Sequence, residues 1–316
     1  MTQRLLFLSQ ADVVRLLDMD RLLDALASAF VELSAGRTSV PPRIAARTPA
    51  GGLLGAMPGF VGGVLEAKLV SVFPQNHVRG IPSHQGLIAL FDADTGGPLA
   101  VMDGVAITAI RTGAAAAVAA RWLSRPDAQV LTIIGAGVQG RSHLAAFPRI
   151  RNFGEVRVAS RSVEKAQALA AEAPNAHAVA SFEEAVRGSD VVCLCTDARE
   201  PVIRYEWLKP GAHVSSVGGT FGPEVDARTI ALGTVFVETR DAVKAAPPAG
   251  AHELQGLQPD AVTEIGEVIA GNKPGRADAT ELTVYKSTGH AVEDAVAAKL
   301  VYDRAVAEGA GQVVNL

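Results

Sequence analysis

Residues 131–140 read Leu-Thr-Ile-Ile-Gly-Ala-Gly-Val-Gln-Gly, and no other segment constrains the fold as strongly. Four strand-forming residues run into a G-x-G-x-x-G turn that opens a helix. Gly135 permits the tight turn, Gly137 lets the backbone approach a ligand, and Gly140 lets helix and strand pack closely. The free N–H groups at Val138 and Gln139 and the positive end of the helix dipole then suit a diphosphate. Strand-like and helix-like stretches alternate around this turn: 130–134, 140–147, 156–160, 163–173, 182–186, 191–195 and 213–218. That rhythm predicts an α/β fold, a Rossmann-type doubly wound parallel sheet.

The chain before this region has a different character. Apolar residues at helical spacing predict one helix over 10–35, and Gly36–Pro42 breaks it. Short apolar segments separated by Gly, Pro and Asn then predict an antiparallel sheet, with a tight turn at Asp94-Thr95-Gly96-Gly97-Pro98. An Ala-rich helix over 107–124 carries Arg111 in its first turns, and a last helix over 291–308 packs back near this region. The expected organisation is an α+β substrate-binding and dimerisation domain with antiparallel sheet (1–115 with 290–316) and a dinucleotide-binding domain (116–289).

Composition narrows the classes of function. With 29 basic and 33 acidic residues the chain has no broad positive field, which argues against nucleic-acid binding. No apolar run approaches the roughly 20 residues of a membrane span, and the start Met-Thr-Gln-Arg-Leu-Leu shows no secretory signal. The two cysteines, Cys193 and Cys195, fall on one face of a strand and are read as small buried hydrophobes, which fits a cytoplasmic protein. The seven histidines show no metal-ligand spacing, and no metal site is expected.

The second strand indicates which dinucleotide is bound. An NAD site places a carboxylate about 20 residues beyond the glycines to bond the ribose 2′-hydroxyl. Here the strand ends in Ser160-Arg161-Ser162. A guanidinium between two hydroxyls suits a 2′-phosphate, so NADP(H) is the preferred cofactor and NAD(H) the other option.

Several segments, taken together, resemble the ornithine cyclodeaminase/mu-crystallin family. They are Ile81–Gln85, Leu99–Gly104, Thr108–Ala115, the Gly135–Gly140 turn, Ile265–Gly271 and Lys286–Leu300, in unbroken order from about Pro41 to Arg304. Ser83-His84-Gln85, Val101–Gly104 and Ala291–Asp294 lean toward the mu-crystallin side. The resemblance implies an enzyme that acts on amino acids, imino acids or cyclic ketimines, and a homodimer. It also implies that Arg43, Lys68 and Arg111 hold a substrate carboxylate, and that Met57, His84 and Thr220 line the substrate pocket. Thr112, Thr196, Val217, Ser287 and Thr288 match positions near the ribose or nicotinamide. Physical chemistry agrees: cations that fix a 2-imino acid by its carboxylate also orient the neighbouring carbon for hydride transfer. Lys68 sits in an apolar strand-like run, where a half-buried charge needs a partner.

One activity of the family lacks its residues. The ornithine enzymes bring acids to the distal amine just before a Met-Pro and just after a Gly-Gly. This chain has Gly55-Ala56 and Thr220 at those positions, with Glu224 and Asp226 as the acids nearby. The expected function is therefore an NADP(H)-dependent oxidoreductase for a small 2-imino acid or cyclic ketimine carboxylate. An amino-acid cyclodeaminase and a low-turnover NADPH-dependent binding protein are the alternatives.

Overall fold

The computed structural model describes residues 4–316, the side chain of His77 excepted; Met1–Gln3, covered by the reading of the N-terminus above, lie outside that range. The chain forms two compact units, one running up to Arg111 and including His290–Leu316, the other Thr112–Gly289.

In the first unit, strand β1 (Arg4–Leu8) leads into helices α1 (Gln10–Leu16) and α2 (Met19–Ser34). The single helix expected over 10–35 is thus two. Leu17 is extended, and the Asp18 carboxylate accepts from Arg21 N at 2.9 Å. A strong N-cap residue ends one helix and starts the next, although the apolar spacing runs straight through. Strands β2 (Ile44–Arg47), β3 (Leu53–Val61), β4 (Val64–Val72), β5 (His84–Phe91) and β6 (Pro98–Asp103) form an antiparallel run. The Asp92 carboxylate closes the expected turn between β5 and β6 by accepting from Thr95 N at 2.7 Å. Helix α3 (Gly104–Leu123) follows.

The second unit alternates as expected. It contains β7 (Val130–Ile134), α4 (Val138–Ala146), β8 (Glu155–Ala159), α5 (Val163–Ala170), β9 (Ala176–Ala178), α6 (Phe182–Val186), β10 (Val191–Leu194) and β11 (His213–Ser216). Then come α7 (Ala227–Leu232), β12 (Thr234–Val237), α8 (Asp241–Lys244), β13 (Thr263–Glu264), α9 (Ile265–Ile269) and β14 (Thr283–Lys286). The strands lie parallel in the order β13-β12-β14-β11-β10-β7-β8-β9. Strand order reverses around β7, which makes the C-terminal end of β7 the ligand-binding edge of such a sheet. Ile134, Val192, Leu194, Val214, Val237 and Val284 are buried in its core.

The chain then returns to the first unit as α10 (Ala291–Glu308) and β15 (Gln312–Asn315). The first sheet has the order β15-β1-β6-β5-β4-β3-β2 and is mixed, because β1 pairs parallel with β6. This corrects the expected antiparallel sheet. Two helices and a run of strands separate β1 from β6, enough chain for a crossover that short hairpins do not provide. Helix α10 packs on β3, β4, β5 and α2 and covers one sheet face. Leu26, Phe30, Ile88, Leu90 and Met102 are buried in this unit.

Candidate active site

The first unit builds a buried cationic cluster. Cross-strand register places Met57, Lys68, Ile88 and Met102 in one row on the covered face of the sheet. Lys68 is 4% exposed within that apolar row. The partner that such a charge requires is Asp294, from the first turn of α10: Lys68 Nζ donates to both its carboxylate oxygens at 3.2 Å. Arg111 of α3 donates through Nε to Asp294 at 2.9 Å and through Nη1 to Glu293 at 2.7 Å. Both acids are 0% exposed. Burial pushes the Lys68 pKa down, and the Asp294 charge offsets part of that shift. Burial alone would raise the Asp294 carboxyl, but Arg111 and then Lys68 outweigh it and hold it below the usual carboxylate range. Lys68, midway along β4, and Arg111 of α3 thus share Asp294, which brings two cations and two carboxylates together in one buried cluster.

The other expected substrate residues are less tightly placed. Met57 lies directly opposite Lys68. Arg43 is exposed just before β2, and strand alternation puts it on the Met57 face. His84 is exposed at the far end of the Lys68 face, with Nδ1 at 3.1 Å from Ser83 Oγ. The surrounding protein and then the Lys68 charge lower the His84 pKa. Sequence reasoning missed Glu293 and Asp294 as site residues. Their one signal was two adjacent acids in an otherwise apolar helical run, Ala291–Ala298.

The second unit builds the dinucleotide turn. Gly135 has φ +109°, and a Cβ there would stand 2.5 Å from the Cys195 carbonyl oxygen. A Cβ on Gly140 would stand 2.0 Å from the Gly135 carbonyl oxygen. Both glycines are required by packing. A Cβ on Gly137 would meet nothing within 4 Å, and no side chain caps α4 there. The open space and the uncapped N–H groups of Val138 and Gln139 fit a diphosphate.

At the end of β8, Arg161 pairs with Asp197 at 2.8 Å, and both side chains are largely exposed. Such a pair contributes about 0–1 kcal/mol, so a phosphate can displace it. Ser160 Oγ accepts from Ser162 N at 3.4 Å. Ser162, expected to flank a phosphate, instead spends its hydroxyl on capping α5 and on Glu164.

Buried carboxylates that sequence reasoning did not assign hold the loops at this edge. Glu224 accepts from Thr196 N and Oγ1, Ser216 Oγ and Gly218 N, all within 2.6–2.8 Å. Glu238 accepts from Ser287 Oγ and from the N–H groups of Thr288 and Gly289. Lys286, 1% exposed, donates to Ser216 Oγ and the Gly218 carbonyl and pairs with Glu253 at 3.2 Å. A cavity of about 50 Å³ lies among Val217, Gly218, Thr220, Lys286 and Thr288. Thr112 is buried on α3 beside Arg111 in sequence.

The two acids near the distal-amine positions, Glu224 and Asp226, are committed elsewhere. Glu224 is filled by its four donors, and Asp226 caps α7 by accepting from Arg228 N and Thr229 N. Ala56 and Thr220 supply no carboxylate.

The model of the ornithine cyclodeaminase/mu-crystallin family matches residues 3–309. The chain belongs to this family. It is 42% identical to the ketimine reductase mu-crystallin of Rattus norvegicus over 257 residues, 80% of each chain. The solved Δ1-pyrroline-2-carboxylate reductase of Thermococcus litoralis, in complex with NADH and L-proline, is 34% identical with a TM-score of 0.90, covering 97% of this chain and 99% of that one. An archaeal alanine dehydrogenase dimer with bound NAD is 32% identical with a TM-score of 0.89, covering 99% of both chains. Other family members include cyclodeaminases, so the family carries more than one reaction on one fold. No helix among the described residues is long and apolar enough to cross a membrane.

Proposed function

We propose that this family member is an NADP(H)-dependent reductase of a small 2-imino acid or cyclic ketimine carboxylate, or catalyses the reverse oxidation of the amino acid. The buried Lys68–Arg111 pair carries this reading, because it offers a carboxylate receptor while Glu224 and Asp226, the acids near the positions the ornithine enzymes use, are committed elsewhere. Lys68 and Arg111 hold the substrate carboxylate and Arg43 adds a third cation, which fixes the adjacent imine carbon. Met57 and His84 shape the space for the rest of the substrate. The dinucleotide supplies the hydride when bound. Val138 and Gln139 meet its diphosphate, and the Glu224- and Glu238-braced loops present Thr196, Val217, Ser287 and Thr288 to its nicotinamide end.

The test is to follow NADPH oxidation with five- and six-membered cyclic ketimine carboxylates, together with ammonia release from ornithine and lysine. Ketimine turnover without ammonia is expected. Rapid ammonia release from either amino acid overturns the reading in favour of a cyclodeaminase, and tight NADPH binding without turnover favours a binding protein.

The NADP(H) preference rests on Arg161 in a strand end without a carboxylate. Arg161→Asp is expected to lower kcat/KM with NADPH by about 10–100-fold and leave NADH nearly unaffected, matching the loss of one or two charge-assisted bonds. An unchanged NADPH/NADH ratio removes Arg161 from the site.

The open face of the first sheet supports a homodimer. Ile44, Ala56, Leu69 and Leu87 form one cross-strand row there. Ile44 is 70% exposed, Leu69 37% and Leu87 39%. A contiguous apolar face of that kind marks an association surface. The free thiols of Cys193 and Cys195 support a cytoplasmic setting.

A further inference from the structure

Glu66 has no part in the reading above, yet it is the most unusual acid in the first unit. It lies on β4 two residues before Lys68, on the same buried face, opposite Gly59 of β3 and Leu90 of β5. It is 1% exposed, and neither carboxyl oxygen has a hydrogen-bond partner. Its Oε1 sits over Gly59, where an added Cβ would approach it to 3.4 Å. Charged groups face it from three elements: Lys68 of its own strand, Arg111 of α3 and Asp294 of α10. The positions paired with it on β3 and β5 carry no charge.

A buried carboxyl without donors takes a proton rather than stay ionised. Burial first, and Asp294 second, push Glu66 up to about 9, against the opposing pull of Lys68 and Arg111. The charge balance of the cluster then depends on this one group. With Glu66 neutral, the buried cations Lys68 and Arg111 cancel the buried carboxylates Glu293 and Asp294, while the Arg43 charge is exposed to solvent and screened. With Glu66 ionised, the cluster carries one net negative charge in a poorly solvated place and repels a further carboxylate.

We propose that Glu66 stays a neutral acid while substrate is held, so that the cluster is neutral and selects a ligand that is itself neutral overall, a carboxylate joined to a protonated nitrogen. Glu66 is thereby a specificity-determining residue that acts through Lys68 and Arg111. The inference rests on the reading that those two residues hold the substrate carboxylate. It adds that the imine is taken up in its protonated form, the form electrophilic enough to accept a hydride.

The probes are L-proline, a zwitterion between pH 7 and pH 10, and cyclopentanecarboxylate, a ring of the same size with no nitrogen. Binding is measured calorimetrically on the NADP⁺-saturated protein. Wild type is expected to bind proline at least tenfold tighter than cyclopentanecarboxylate at pH 7, and to lose about fivefold in proline affinity between pH 9 and pH 10. In Glu66→Gln, and in Glu66→Met as a second uncharged variant, that alkaline loss is expected to shrink to threefold or less. An unchanged alkaline loss in the folded variants overturns the proposal, as does equal affinity of wild type for the two probes. Failure of wild type to bind proline, or unaltered proline binding by Lys68→Met, overturns the carboxylate reading itself.

Discussion

Replacing Arg111 by leucine is expected to cost the protein about 3–5 kcal/mol of stability at neutral pH, the usual penalty for leaving a buried charge without its partner. The guanidinium bonds Glu293 at 2.7 Å and Asp294 at 2.9 Å, and both carboxylates are wholly buried. Lys68 still serves Asp294 in the variant, but Glu293 loses its ion pair with Arg111. The pH dependence carries a definite sign. Asp294 is held below its ordinary value of 3.8 in the folded protein. Its contribution is therefore present above that ordinary value and lost as pH falls through the lower folded one. The stability gap between wild type and Arg111→Leu should be widest near pH 7 and narrow as pH falls below 3.8, where Asp294 takes a proton and no longer gains from the guanidinium. Urea unfolding at the two pH values measures it. A gap below 1 kcal/mol at neutral pH, or one that does not change with pH, contradicts the buried ion-pair account.

Lys68→Met is expected to lower kcat/KM about a thousandfold and to leave a folded protein. Methionine fills nearly the same volume between Met57 and Ile88, and Asp294 keeps its bond to Arg111. What is lost is a charge-assisted contact to the substrate carboxylate, about 1.5–3 kcal/mol, together with the orientation it enforces, commonly worth a further hundredfold. Steady-state kinetics on the ketimine substrate, with circular dichroism to confirm folding, makes the measurement. Turnover within a few-fold of wild type would show that Lys68 does not touch the substrate.

These predictions differ in how much of their basis was legible in the residues. The dinucleotide turn was read in full, because its requirements are local. Gly135 and Gly140 need backbone approaches that a Cβ at 2.5 Å or 2.0 Å forbids, and all the groups involved lie within a strand–turn–helix. The need for a partner at Lys68 was also visible from its apolar strand, but the partner was not. Asp294 lies 226 residues away, and no periodicity or spacing connects the two. The bracing roles of Glu224 and Glu238 were hidden for the same reason, since their donors lie at strand ends distant in sequence. The break between α1 and α2 was masked by apolar spacing that continues through Asp18, whose capping bond is decided by a single side chain.

The sequence by itself determined the parallel α/β unit and its glycine-rich strand–turn–helix, which depend on contacts within a few residues or on a regular alternation, while the candidate cations at 43, 68 and 111 came from the family resemblance. Only the tertiary structure decided that Lys68 and Arg111 share Asp294, that Glu66 lies unpartnered beside them, and that Glu224 and Asp226 are already occupied. Those outcomes depend on which distant side chains meet in low dielectric. There, a charge is stabilised or neutralised by its neighbours in space rather than by its neighbours in sequence.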